Sequence, residues 1–414
     1  MSSLFRSTRR SILARIGAAV AASGVAFGGS TAGAADVYYQ PIVSVSTSAN
    51  TNVDLDPQVR KFAEGYFADA ATLIGIATPT SETTLMPRLL YNYYPTQTAL
   101  NRLEGFLSLN SRYSWRRDRL NITGFYDHRD DFNAEQPSAD FNPVTPGVGG
   151  TTPTTGHIAF GTTRNYVVLD PTYSHLITPL SSIGIAAEYQ RLSYSPSDTT
   201  AHVDYNYYRA RAFYAWTISP RADAAIGGFG SKYVASNIDS QSTSGGAQFD
   251  LGYNWTQTIH SDLSVLAQQT KIDETSPRFV SATSHPWGAT LSTIYTGQTA
   301  SYRVVVGRTI VPSAAGGLYR TDQIRGQYDR DFTERLHLTG AVRYFRNRTF
   351  VGVQGDDTRD YATTTLKLQW MMTRTLFISG SYAFIWQKYR IDPSGADTNI
   401  VSLQFGYRGL GRQR

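Results

Sequence analysis

The chain has 414 residues, no cysteine and a formal charge of +6, from 38 Lys and Arg against 32 Asp and Glu. The lack of cysteine excludes disulfides, thiolate metal ligands and a cysteine nucleophile. The basic residues are spread along the sequence instead of clustering, which argues against a nucleic-acid-binding protein. Tyrosine is common at 27 residues, and its ring combines an apolar body with a polar tip. This composition is typical of a protein that meets membrane interfaces.

Residues 1–35 have the pattern of a cleaved secretory signal peptide. Arg6, Arg9 and Arg10 precede a mild apolar run at residues 16–27, and small residues follow at 32–35. The run is too short to span a bilayer as a helix, which takes about 20 apolar residues. We therefore expect an exported mature chain that starts near Ala35 or Asp36.

From there to the end, apolar and polar residues alternate in stretches bounded by short turns or polar loops, as in residues 247–255 and 336–344. A period of two predicts strands with one apolar and one polar face. The pattern predicts an all-β protein: a transmembrane, antiparallel, up-and-down barrel over residues 36–409, with a tail at 410–414. It has about 18 strands, or 16 as an alternative; residues 63–77 are Ala-rich and could be partly helical. The strands are predicted at 37–50, 63–77, 82–95, 99–114, 118–131, 164–178, 182–196, 203–217, 222–236, 244–258, 260–272, 284–295, 298–312, 316–331, 336–349, 358–372, 374–390 and 397–409.

Tight turns and longer loops are expected to alternate between these strands. Every second connection along the chain is expected at the same end of the barrel. The tight turns at 115–118, 178–181 and 372–374 belong to one such set, and the longest irregular stretch, 132–163, belongs to the other. In outer-membrane barrels the periplasmic turns are short and the outer loops are longer. This predicts location in the cell outer membrane with both termini periplasmic. Outer-membrane lipid and the barrel-assembly machinery are the expected partners.

The polar face of the strands carries the candidate pore lining. On 99–114 the apolar residues Leu103, Leu107 and Leu109 alternate with polar ones. Arginine and aromatic residues on the polar face suit anionic or sugar solutes, but Arg–Glu pairs could equally neutralise a polar lumen. The candidates are Arg102, Glu104, Arg112, Arg119, Arg209, Arg211, Arg303 and Arg343.

A cluster of ionisable residues precedes the longest loop, at residues 126–131. Asp127, Asp130 and Asp131 could offer carboxylate oxygens to Ca²⁺. The alternative is a solvated rim with local Asp–Arg pairs, which the absence of a calcium-loop spacing favours. We predict no metal and no cofactor.

The seven histidines are scattered, and no Gly-x-Ser-x-Gly elbow or paired-His motif occurs. The chain is therefore predicted not to be an enzyme. Three alternatives to a channel stay open: a non-conducting scaffold, an assembly component, and a barrel enzyme that acts on lipids.

Residues 40–45 and 50–53, and then 85–89 with the Tyr-rich strand they open, resemble blocks of the outer-membrane β-barrel porins of the second type. The resemblance covers most of the mature chain as patterned strand and brings no catalytic residues. It implies a pore or assembly role beside PEP-CTERM or exopolysaccharide systems, with polysaccharide-export components as partners. The function predicted is a porin-like channel for exopolysaccharide or other anionic or sugar solutes.

Overall fold

A computed structural model of the protein describes residues 35–141, 161–195, 202–235, 238, 240–274, 282–349, 358–390 and 394–413. The predicted signal peptide lies outside these residues, apart from Ala35. Among the described residues, no helix has the length and apolarity needed to cross a bilayer. The described fold is one sheet of strands joined by turns and loops, as the alternation of apolar and polar residues predicts.

The strands lie close to their predicted positions. Their bounds are β1 Asp36–Asn50, β2 Ala63–Ala77, β3 Ser81–Tyr93, β4 Arg102–Ser114, β5 Asp118–Asp130, β6 Thr163–Thr178, β7 Ser181–Ser195, β8 Tyr205–Ser219, β9 Ala222–Ala235, β10 Ser240–Asn254, β11 Ile259–Glu274, β12 Ala282–Ser284, β13 Trp287–Thr296, β14 Ala300–Ser313, β15 Gly317–Asp331, β16 Leu336–Thr349, β17 Arg359–Met371, β18 Leu376–Tyr389, β19 Ala396–Arg408 and β20 Arg412–Gln413. One helical turn, Thr98–Leu100, precedes β4, and a short helix, α1 Asp131–Ala134, follows β5.

Each strand pairs antiparallel with its sequence neighbour, and β1 pairs with β19 to close the sheet. β12 and β13 both pair with β11 and share one position in the wall, while the short β20 pairs with β1. The wall therefore has 18 positions, and the prediction of a closed 18-strand antiparallel barrel is confirmed. The alternative of 16 strands is wrong.

Two local expectations differ from the structure. Residues 63–77 are strand throughout, because β2 pairs with β1 over its whole length and this pairing overrides weak local propensity. The strand predicted at 284–295 is interrupted at residues 285–286, between β12 and β13. Pro286 has no N–H to give to the ladder, which explains the break.

The closing seam between β1 and β19 has contacts beyond the ladder. Gly409 N donates to the carbonyl of Pro41 at 2.8 Å, and Gln40 Nε2 donates to the carbonyl of Gly409 at 2.9 Å. A Cβ at position 409 would lie 2.6 Å from Pro41 Cδ, so only glycine fits this approach. Gln404 Nε2 donates to Ser44 Oγ at 2.9 Å across 360 residues of sequence.

The two ends of the barrel carry different connections. At the end with the chain termini, every connection is two to four residues long, such as 179–180 and 372–375. The other end carries the longer connections, including 51–62 and 131–162, together with the three-residue turn 314–316. We call these the short-turn end and the long-loop end. The predicted orientation, with the short-turn end in the periplasm, stays a prediction.

The two faces of the wall differ in chemistry. Val401 and Leu403 point away from the barrel and are 59% and 53% exposed, while the alternate residue Gln404 points inward and is 7% exposed. Large apolar side chains exposed around the outside are what lipid tails require, and polar ones line the inside. The inferred lipid face and lumen face therefore follow the predicted alternation.

Substitution of Leu366, which is 50% exposed on the outward face of β17, tests this assignment. Leu366→Arg should lower the free energy of unfolding by about 2–4 kcal/mol, because a cation would face lipid tails. Urea titration of the protein folded in lipid vesicles measures this. Thr365→Asn, at the adjacent inward position, is the control and should be nearly neutral. Equal losses for the two variants would contradict the assignment of faces.

Candidate functional site: the barrel lumen

The chain after β5 turns into the barrel. α1 is capped by Asp130, whose carboxylate accepts from the N–H of Phe132 at 3.0 Å. Residues 135–141 then reach inward-facing side chains of β15, β16 and β17, on the far side of the sheet from β5. We call residues 131–141 the lumen segment.

Side chains of the wall bind the backbone of the lumen segment. Arg325 Nε donates to the carbonyl of Ala139 at 2.8 Å, and its Nη2 donates to that of Asp140. The Tyr361 hydroxyl donates to the carbonyl of Pro137 at 3.1 Å. Carbonyl groups removed from water need such donors, so these bonds hold an irregular segment inside the barrel.

Two fully buried ion pairs lie near the lumen segment. Arg164 Nη2 lies 2.8 Å from Asp127 Oδ2, and this pair joins β6 to β5. On the far wall, Arg359 Nη1 lies 3.3 Å from Glu135 Oε2, and this pair joins β17 to the segment. Breaking a buried ion pair by removing one partner is costly, so the Arg359–Glu135 pair disfavours release of the segment.

The eight predicted pore-lining residues all occupy positions of their strands whose side chains face the inside of the barrel. Arg112 and Arg119 lie near the short-turn end and are exposed. Glu104 is buried under the lumen segment and accepts from Asn133 Nδ2 at 2.7 Å. Arg102 forms an ion pair of 3.1 Å with Asp130 at the long-loop end.

Arg303 and Arg343 flank the lumen segment. Arg343 Nη1 donates to the carbonyl of Ser138 at 3.4 Å, and the side chain is almost completely buried. Arg303 stacks over the ring of Phe141 at 4.6 Å and is exposed to the lumen. It has no ion pair within the described residues.

Arg209 and Arg211 lie together on β8, away from the lumen segment. Arg209 Nη2 donates to Gln248 Oε1 at 2.7 Å, and Arg211 Nη2 donates to Asp250 Oδ2 at 2.5 Å. Both partners are on β10, so the arginines cross β9. A Cβ at Gly227 on β9 would lie 2.4 Å from the carbonyl oxygen of Ala212 and 3.0 Å from Arg211 Nε, so glycine is needed beside this part of β8.

The three rim carboxylates are engaged by protein groups. Asp127 binds Arg164, Asp130 caps α1, and Asp131 Oδ2 lies 2.9 Å from His202 Nε2. In the part of the chain that the structure describes, no group of three or more His, Asp or Glu residues is placed to hold a metal ion. These contacts are local pairs with protein groups, and calcium binding at the three carboxylates stays a hypothesis.

Three charged residues in or beside the lumen segment, Arg325, Lys367 and Asp140, were not among the predicted pore-lining candidates. Arg325 has the same parity as Gln323 and Gln327, so the polar face of its strand could have revealed it. Lys367 likewise alternates with Leu366 and Leu368. Asp140 lies in the irregular stretch, where no period indicates a direction.

The lumen segment leaves space beside it. A cavity of about 190 Å³ lies between the segment and the wall formed by β1–β4 and β17–β19. Its lining is mostly small and polar, and includes Ser46, Asn92, Gln136, Thr363, Lys367 and Gln404.

The charge around the lumen segment is positive. Arg325 and Arg343 bind neutral carbonyl oxygens, and Arg303 stacks on a ring. Asp140 is a nearby carboxylate, and burial raises the pKa of its carboxyl, while the charges of Lys367 and Arg325 act in the opposite direction.

No protein-family model and no curated protein matches the sequence. Among solved structures, the chain is similar to OccAB3 of Acinetobacter baumannii, with 9% identity, 90% of this chain and 99% of that chain covered, and a TM-score of 0.44. It is similar to OccK2 (OpdF) of Pseudomonas aeruginosa, solved with glucuronate, at 11% identity, 90% and 98% coverage and a TM-score of 0.44. For OpdK of Pseudomonas aeruginosa with vanillate, the identity is 10%, the coverage 91% and 99%, and the TM-score 0.42. At these values the likeness carries no functional information.

The buried pair Arg359–Glu135 allows a test of how the lumen segment is held. Arg359→Met should release the segment, because it removes the guanidinium partner of the buried Glu135 carboxylate, a loss that costs about 3–5 kcal/mol. Cleavage within residues 131–141 by a soluble protease should then accelerate, as followed by mass spectrometry of the fragments. The double variant Arg359→Met/Glu135→Gln also removes the charge of Glu135 and should be cleaved more slowly than the single variant. Wild-type cleavage rates for Arg359→Met would show that the pair does not hold the segment.

Proposed function

We propose that the barrel is an outer-membrane channel whose lumen conducts small anionic solutes, acidic sugars among them. The observation that carries the proposal is the set of cations beside the lumen segment whose partners are neutral. Hydrogen bonds to carbonyl groups leave the full positive charge of a guanidinium group in the lumen.

The balance of charge supports anions over cations. Four basic residues surround residues 138–141, and two carboxylates, Asp140 and Asp329, lie close to them. Fixed charge in a narrow, poorly screened passage raises the local concentration of counter-ions. The basic residues are Arg303, Arg325, Arg343 and Lys367.

The chemistry of these groups suits carboxylate solutes. A guanidinium group binds a carboxylate through two parallel N–H donors, which a lysine cannot reproduce. Arg303 is the most available of the four, because its side chain is exposed and its described contact is the ring of Phe141. Arg303 would bind the carboxylate of a sugar acid, and the polar groups of the adjoining cavity would contact the rest of the sugar.

The resemblance of residues 40–45 and 85–89 implies a finer role, secretion of an exopolysaccharide in a PEP-CTERM or related system. This role and the polysaccharide-export partners stay predictions. Neighbouring genes for glycosyltransferases and polysaccharide export would favour secretion, whereas a catabolic operon would favour uptake.

Charge removal at Arg303 tests the selectivity. Arg303→Gln should reduce anion preference, measured as the reversal potential under a salt gradient in planar bilayers. The double variant Arg211→Gln/Asp250→Asn is the control, because it removes one charge of each sign and should leave the preference unchanged. The preference should also weaken with salt, as the Debye length falls from about 10 Å at 0.1 M to about 3 Å at 1 M. Glucuronate should reduce the chloride current, and glucose at equal concentration should not.

A barrel that inserts and never conducts would contradict the channel proposal and favour a scaffold. Cation preference that Arg303→Gln leaves unchanged would contradict the anionic solute class while leaving conduction intact.

The raised pKa of Asp140 predicts a dependence on pH. The carboxyl takes up its proton at a higher pH than an ordinary Asp, and it becomes neutral when it does so. As the pH falls below neutral, the lumen therefore becomes more positive and anion preference should rise. Other carboxylates titrate in the same range, so Asp140→Asn is the matched comparison. It should prefer anions more strongly than the wild type at neutral pH and should change less on acidification; equal changes in the two proteins would contradict the assignment.

A further inference from the structure

The cavity beside the lumen segment has a row of polar side chains at one depth of its wall. Ser48 on β1 pairs with Ser402 on β19, which pairs with Ser381 on β18. Ser381 pairs in turn with Lys367 on β17, and all four residues line the cavity. Neighbouring strands lie about 4.8 Å apart, so the four polar groups follow one another at that spacing. We call them the cavity row.

The cavity row has unused hydrogen-bonding capacity. Within the described residues, none of its four side chains takes part in a hydrogen bond or an ion pair. Other residues of the lining add three buried polar atoms that have no partner: Asn92 Oδ1, Gln136 Nε2 and Asp140 Oδ1. Hydroxyl groups both donate and accept, so donors and acceptors occur together around this space.

The charges of the lining do not favour an anion. Lys367 is the one basic residue among the described residues of the lining, and its charge interacts with that of Asp140. Glu104 adds a second carboxylate to the lining. The unpartnered oxygens of Asn92 and Asp140 require a hydrogen-bond donor, which an ionised carboxylate or a halide does not supply. The chemistry therefore favours an uncharged ligand that carries O–H groups.

Another part of the lining is apolar. Phe67, Tyr94 and Phe132 line the cavity, and the rings of Phe67 and Tyr94 pack edge to face with 5.7 Å between their centroids. Water is held at polar walls, whereas apolar cavities stay dry, so this part of the lining gives water nothing to bind. Binding sites for small molecules combine apolar walls with a few polar groups that fix the orientation.

We propose that this cavity binds one uncharged sugar ring. The hydroxyl groups of a sugar would donate to and accept from the cavity row, while its C–H faces would pack on the aromatic rings. The volume of about 190 Å³ equals that of roughly six waters at about 30 Å³ each, which is room for a single ring and not for a chain of several. The inference goes beyond the proposed channel, because it requires no charge on the ligand and no conduction.

Isothermal titration calorimetry of the full chain tests the proposal, with the protein folded in a detergent that has no sugar headgroup. The probes are the methyl glycosides of glucose, galactose and mannose, which are uncharged and fixed in the ring form. At least one should bind, with the same Kd at 0.1 M and 1 M salt, because an uncharged ligand is not screened. Tetrahydropyran, a ring of the same kind without hydroxyl groups, should not bind.

Removal of two hydroxyl groups from the cavity row locates the ligand. Ser381→Ala/Ser402→Ala should raise the Kd of the bound glycoside about tenfold, because two hydrogen bonds to it are lost. Ser292→Ala/Ser301→Ala is the matched control and should keep the wild-type Kd. These two residues face the lumen on β13 and β14, outside the lining of the cavity. Heat-dependent migration on a detergent gel shows whether each variant is folded, and the single variants replace a double one that is not.

Three results would overturn the proposal. Failure of all three glycosides to bind the wild type would show that the cavity holds water only. Equal Kd values for the wild type and Ser381→Ala/Ser402→Ala would place the ligand elsewhere. Glucuronate that binds far more tightly than the glycosides, with Lys367→Met abolishing the difference, would assign an anion to the cavity. A barrel that binds a glycoside and does not conduct would contradict the channel and leave this site standing.

Discussion

Pairing of every backbone group within the wall is the constraint on which this structure depends. Lipid offers no hydrogen bonds, so an open sheet edge in the bilayer would strand a row of N–H and C=O groups. The pairing of β1 with β19 removes both edges at once. With the backbone satisfied, the outward side chains are free to be apolar and the inward ones to be polar, which sets the lipid face and the lumen.

The same constraint acts inside the lumen, where the solution is different. The lumen segment has no ladder, so side chains of the wall supply the donors that its carbonyl groups need. Arg325, Arg343 and Tyr361 each bind one or two of them. Structural anchoring and positive charge thus come from the same arginines. A channel built this way gains its electrostatic character as a consequence of holding its own segment in place.

The fold could be predicted from the sequence because alternation with a period of two is a local signal that survives in every strand. The eight lining candidates follow from the same period, and the structure places them on one face. The path of residues 131–141 could not be predicted, because it depends on hydrogen bonds to backbone carbonyl groups, such as those of Pro137 and Ala139. Every residue type carries such a group, so these contacts leave no signal in the sequence. The break at Pro286 was visible in the sequence, but its effect depends on which neighbour needed the missing N–H.

The seam between β1 and β19 has a consequence for how the protein reaches its folded state. Its partners are among the most distant in the chain, as the contact of Ser44 with Gln404 across 360 residues shows. Closing so long a loop is entropically slow, whereas the hairpins between neighbouring strands form locally. Until the last strand arrives, β1 presents an unpaired edge that can recruit foreign strands. The rate of assembly and the risk of aggregation are therefore concentrated at one ladder, and helper proteins that act on this barrel have most to gain by guarding the β1 edge.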